Sequence, residues 1–121
     1  MSAGSQTSAG LTLLRLLHGV LSTDPGTPPF AGRLGIGVRG AGGEHWLVVE
    51  LAERAAASIE EARPDGADAT LLLGEADAQV LLESGRLPEA PKLLLAAGDR
   101  RRLGLFFERY QPKLRWGVSR R

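Results

Sequence analysis

Arg33-Leu34-Gly35-Ile36-Gly37-Val38-Arg39, the break Gly40-Ala41-Gly42-Gly43, and His45-Trp46-Leu47-Val48-Val49-Glu50-Leu51 are the residues on which the fold turns. Leu34, Ile36 and Val38 alternate with Gly and Arg, the period of a strand with one buried face. The second run is rich in branched and aromatic residues, which suit a pleated, half-buried surface. Two such runs joined by a Gly-rich turn read as an antiparallel hairpin. The next stretch, Ala52 to Arg63, is ambiguous. Its Ala and Glu content favours a helix, and Pro64-Asp65-Gly66 supplies the stop. Local propensity alone therefore predicts a helix after the hairpin.

Upstream, Leu13, Leu14, Leu17, Val20 and Leu21 recur at helical spacing, with Arg15 on the polar side. Arg15 and His18 interrupt the apolar run, and no basic region precedes it, so it does not read as a secretory leader. Asp24-Pro25-Gly26-Thr27-Pro28-Pro29 ends this helix in a rigid loop. Downstream, Asp68-Ala69-Thr70-Leu71-Leu72-Leu73 is a short apolar run bounded by turn residues, a buried strand. Glu75 to Ser84 reads as a helix, with acids in its first turn and Gly85 as its cap. Pro91 to Ala97, around Leu93-Leu94-Leu95, is a further strand. Asp99 then caps a last helix, whose Leu103, Phe106, Phe107, Tyr110 and Leu114 form an apolar stripe. Pro112 is expected to kink or end it. Helices and strands in this order make an α+β pattern on a mostly antiparallel sheet.

The chain has 121 residues, 43% hydrophobic and 24% charged, one domain of ordinary globular composition. Residues 1–10 read as a disordered N-terminal segment, 11–116 as the domain and 117–121 as a basic C-terminal tail. The absence of cysteine excludes disulfides and thiolate metal sites, and fits a cytoplasmic setting. Arg100 to Arg121 holds eight basic residues and one acid, a net +7 that the remainder of the chain offsets with −6. That basic end is a solvated helix face or a phosphate contact.

Little in the sequence speaks for catalysis. Gly35-Ile36-Gly37-Val38-Arg39-Gly40 has the G-x-G-x-x-G spelling, but its glycines lie within a strand and no helix follows to receive a pyrophosphate. They read instead as the bare face of an edge strand, with something packed close. Only two histidines are present, His18 and His45, and neither has a nucleophile motif beside it. Glu60 and Glu61 are adjacent and point apart. No metal-ligand spacing occurs, and no cofactor is implied. Nucleic-acid binding would rest on the Arg-rich end, where Trp116 is the one aromatic able to stack among the basic residues, so it is not expected.

From Ile36 to about Phe107 the chain resembles the sterol carrier protein-2 family, as a small, stand-alone, bacterial-type member. The resemblance rests on Trp46-Leu47-Val48-Val49-Glu50-Leu51, on Asp65-Gly66-Ala67-Asp68-Ala69-Thr70-Leu71-Leu72-Leu73, on Leu82-Glu83-Ser84-Gly85-Arg86-Leu87, and on Gly98-Asp99 before the closing helix. The segment between Gly85 and Asp99 departs from the family by being several residues shorter, with Pro88 and Pro91 in it. The resemblance implies a five-stranded, largely antiparallel sheet with helices on one face and an apolar tunnel between them. It turns Ala52-Glu53-Arg54 into a turn and Ala55 to Ala62 into a strand antiparallel to the Trp46 strand, against helix propensity. It implies a non-catalytic carrier of fatty acids, acyl thioesters or sterols.

On that reading Leu14, Leu17 and Leu21 face Phe106, Phe107 and Tyr110 across a floor of Ile36, Val38, Trp46 and Val48. The Tyr110 hydroxyl is offered to a polar head. Arg100, Arg101, Arg102, Arg109, Lys113 and Arg115 are the candidate contacts to an anionic membrane. The alternative keeps the fold with a filled cavity, as an interaction or oligomerisation module or an enzyme accessory subunit, and predicts a homodimer.

Overall fold

The computed structural model describes residues 9–23, 26–40, 43–60, 62–84 and 93–119, with side chains over the same residues except 84, 93–96 and 111–119. Helix α1 spans Ala9–Thr23, followed by strands β1 (Gly32–Gly40), β2 (Gly43–Leu51), β3 (Ala55–Glu60) and β4 (Ala69–Gly74). Helix α2 (Glu75–Ser84), strand β5 (Leu93–Gly98) and helix α3 (Arg100–Ser119) complete the chain. The five strands form one sheet in the order β3-β2-β1-β4-β5. Three of the four pairings are antiparallel and β1–β4 is parallel.

Ala52–Arg54 is a bend and Ala55–Glu60 is a strand, paired from Trp46↔Glu60 to Leu51↔Ala55. Helix propensity therefore fails here and the family pattern holds. The propensity difference is a few tenths of a kcal/mol per residue. Against it stand the ladder bonds to β2 and the burial of Ala55 and Ala57 against the core. β1 is a central strand rather than an edge strand, since β4 pairs with its other side.

Helix bounds differ from expectation at two ends. α1 begins at Ala9, inside the segment expected to be disordered. The Glu75 carboxylate accepts from the Ala9 N–H at 3.0 Å and the Gly10 N–H at 3.2 Å. These amides have no partner within their own helix, and a residue 65 positions away supplies one. Replacing Glu75 by alanine is expected to cost about 1 kcal/mol, the usual value of a helix cap. Faster hydrogen exchange confined to the first turn of α1 would check it, and unchanged exchange there would refute it. At the other end α3 runs through Pro112 to Ser119, past the expected kink and into the expected tail. Proline there removes one N–H donor, and the remaining helical bonds carry the backbone past it. The Asp99 cap forms as read: Oδ1 accepts from the Arg101 N–H at 3.0 Å. The Gly85 cap and the short segment after it lie outside the described residues.

All three helices pack on one sheet face. Leu34, Ile36 and Val38 of β1, Leu47, Val49 and Leu51 of β2, and Ala69, Leu71 and Leu73 of β4 form one core with the apolar stripes of α1 and α3. The opposite, outer face carries Gly35 and Gly37. A Cβ at Gly37 would lie 2.6 Å from Cε3 of Trp46, and one at Gly35 would lie 2.4 Å from Cγ of Pro64. The glycine spelling in β1 is thus a packing device: the indole and the proline ring sit directly on the strand.

Candidate functional site

The inner layer between helices and sheet is built from simple periodicities. In α1, Leu13, Leu14, Leu17 and Leu21 share one face and are at most 1% exposed, while Arg15 is outside. In α3, Leu103, Phe106, Phe107 and Tyr110 repeat that spacing. Phe106 stands edge-on to Phe107, ring centres 5.3 Å apart, and packs on Tyr110 at 5.1 Å. The sheet supplies Leu34, Ile36, Val38, Leu47, Val49, Leu71 and Leu73 as its floor. These side chains pack against one another and are shut off from water.

Eight of the ten residues expected to meet a ligand are brought together there: Leu14, Leu17, Leu21, Ile36, Val38, Phe106, Phe107 and Tyr110. Trp46 and Val48 are not. They lie on the outer face, because the hairpin register pairs Ile36 with Leu47, and Gly37 with Trp46. Side chains alternate faces along a strand, so a one-residue offset moves both out of the layer. Glu50 shares the parity of Trp46 and Val48, and this was the available signal: a charge marks the outer side. The same parity makes Leu47, Val49 and Leu51 the true floor of β2.

The outer face has its own polar features. A groove of about 240 Å³ is lined by Arg33, Val48, Glu50, Ala56, Ser58 and Glu60. Glu44 is hydrogen-bonded by the Arg39 guanidinium and, at 3.3 Å, by the Trp46 indole N–H. The Arg39 bond chiefly holds the Glu44 carboxyl below the usual carboxylate range. Among the described residues no three His, Asp or Glu side chains are grouped to hold a metal.

Of the six basic residues expected at a membrane, Arg100 and Arg101 are exposed. Arg102 is engaged internally: it bonds Asp99 at 3.2 Å and the Ala31 carbonyl at 3.2 Å, pairs with Asp68 at 3.5 Å, and lies over the Phe30 ring. Arg109 donates to the Thr27 carbonyl at 3.2 Å. Both therefore tie α3 to the loop before β1. The side chains of Lys113 and Arg115 lie outside the described residues. No described helix is long and apolar enough to cross a membrane.

Tyr110 is the polar exception in the inner layer. It is 0% exposed, and its hydroxyl finds no hydrogen-bond partner among the described residues. Leaving such a group unsatisfied costs about 1–3 kcal/mol. Burial pushes the phenol above its ordinary value near 10, with the Arg109 charge opposing. The ionised form is disfavoured only in the folded state. Stability is therefore intact below about pH 10 and falls as pH rises through the folded-state value. Tyr110 is the one tyrosine of the chain, so phenolate absorbance reports it alone. A midpoint above that of free tyrosine is expected, together with an alkaline loss of stability that Tyr110→Phe removes. A midpoint at the free value would refute this.

The sequence matches no family model and no curated protein. The fold does find a counterpart. The solution NMR structure of palmitated SCP2L2 from Aedes aegypti is similar at a TM-score of 0.59, covering 80% of this chain and 89% of that one. The fold is sterol carrier protein-2-like. Sequence identity is 17%, so what the two share is the architecture. In this fold the helices and the five-stranded mixed sheet stand as the resemblance implied, and Trp46 and Val48 lie on the outer face instead of in the layer.

Proposed function

We propose that the chain is a non-catalytic binder of a lipid or other apolar ligand, taken up between the helices and the inner sheet face, in a cytoplasmic setting. The observation that carries this is the fold shared with a protein solved in its palmitated form. The chemistry of the inner layer supports it: aliphatic and aromatic walls, and one buried hydroxyl without a partner. Apolar area removed from water would drive binding, at about 25 cal/mol per Å². Walls of this kind separate a fatty acid, an acyl thioester and a sterol only weakly by chain size, since one methylene changes affinity modestly. Docking on anionic lipid would fall to Arg100 and Arg101, the exposed members of the basic set.

The filled inner layer favours a second reading, an interaction or oligomerisation module that takes no ligand. Its apolar contact would include Leu105, 37% exposed on α3. Native mass spectrometry with organic extraction decides between the two. One lipid per chain, or uptake of a fluorescent fatty acid, is the expected result. A lipid-free chain that takes up no fatty acid and runs as a dimer would overturn the first reading in favour of the second.

A further inference from the structure

We propose that Arg109 and Tyr110 form the headgroup site for a free carboxylic acid, so that the chain selects single-chain fatty acids over neutral sterols and acyl thioesters. This rests on the lipid-binding reading above. Consecutive residues on a helix point about 100° apart, yet here the two side chains converge. The Arg109 guanidinium lies 5.3 Å from the centre of the Tyr110 ring. Its Nε is committed to the Thr27 carbonyl at 3.2 Å. Its two terminal NH₂ groups make no hydrogen bond with a described residue. Arg109, a half-buried residue, therefore places its guanidinium between the loop carrying Thr27 and the ring of Tyr110.

A carboxylate could engage both groups at once. A guanidinium presents parallel N–H donors that match its two oxygens. A phenolic O–H can donate to one of them, ending the isolation of the Tyr110 hydroxyl. The apolar chain would then continue from the head into the layer around Phe106 and Leu17. A sterol hydroxyl or a thioester carbonyl could accept from Tyr110 but would leave the charge unpaired. Seen this way, the Thr27 carbonyl is a positioning contact. It holds the Arg109 side chain by its Nε and leaves its terminal nitrogens available.

The test compares palmitate with hexadecan-1-ol, which has the same chain and a neutral head. Both displace the neutral fluorescent probe N-phenyl-1-naphthylamine from the full chain. Wild type is expected to favour palmitate by about tenfold or more, the scale of one charge-assisted interaction. Arg109→Gln should bring the ratio near one, chiefly by weakening palmitate, and Arg109→Lys should restore part of it. Tyr110→Phe keeps the ring in the core and should lower the ratio severalfold, which preserves the test if Arg109→Gln misfolds. A ratio near one in wild type, or one that neither Arg109→Gln nor Tyr110→Phe lowers, overturns the headgroup assignment while lipid binding stands. Failure of all three ligands to bind wild type overturns both.

Discussion

Truncating Phe106 to alanine is expected to lower the unfolding free energy by about 3–5 kcal/mol, the range for removing a buried aromatic ring. Phe106 is 0% exposed and packs against the rings of Phe107 and Tyr110. Its loss removes transfer energy and leaves a void that the flanking Leu and Ile side chains fill only partly. With a urea m-value of about 1–3 kcal/mol per molar, the midpoint should fall by more than 1 M. Ile59→Ala, at a 41% exposed position on edge strand β3, should cost much less. The same variant bears on function. If a lipid chain occupies this layer, palmitate at about 100 times its Kd should return about 2.7 kcal/mol of stability. A Phe106→Ala midpoint within a few tenths of a molar of wild type would mean that the layer is not packed as described.

Gly98→Ala is expected to be nearly as damaging, for a different reason. Gly98 ends β5 at φ +79°, a backbone region that costs an L-residue about 1–2 kcal/mol. An added Cβ would also lie 2.2 Å from the Asp68 carbonyl oxygen and 2.9 Å from the Ala69 Cα. These are backbone atoms that cannot rotate away, and the same carbonyl accepts the Asp99 N–H at 3.0 Å, so β4, β5 and the start of α3 meet there. Strain plus overpacking gives about 2–5 kcal/mol in total. Gly104→Ala is the control of opposite sign. It lies in α3 with no atom within 4 Å of an added Cβ, and should stabilise by about 0.5–1 kcal/mol. Equal midpoints for the two alanine variants would refute the account of Gly98.

Much of the architecture was legible because it rests on local periodicity. The leucines of α1, the stripe of α3, the Asp99 cap and the β1–β2 hairpin each follow from spacing a few residues long. Most of the inner layer follows with them, because an apolar face has to be buried somewhere. Three features were settled elsewhere. β3 became a strand because β2 offered a ladder to residues whose own preference is helical. The start of α1 moved to Ala9 because Glu75, distant in sequence, supplied its missing acceptor. Trp46 and Val48 went to the outer face because the register of two strands decides which parity points inward. The convergence of Arg109 and Tyr110 belongs with these: the Thr27 carbonyl, 82 residues away, helps to set where that guanidinium lies. Periodicity by itself determined which residues are apolar neighbours along one element. Only the tertiary structure decided which elements share a face and which polar groups end there without a partner. Those outcomes depend on contacts between residues far apart in sequence, which no local preference encodes.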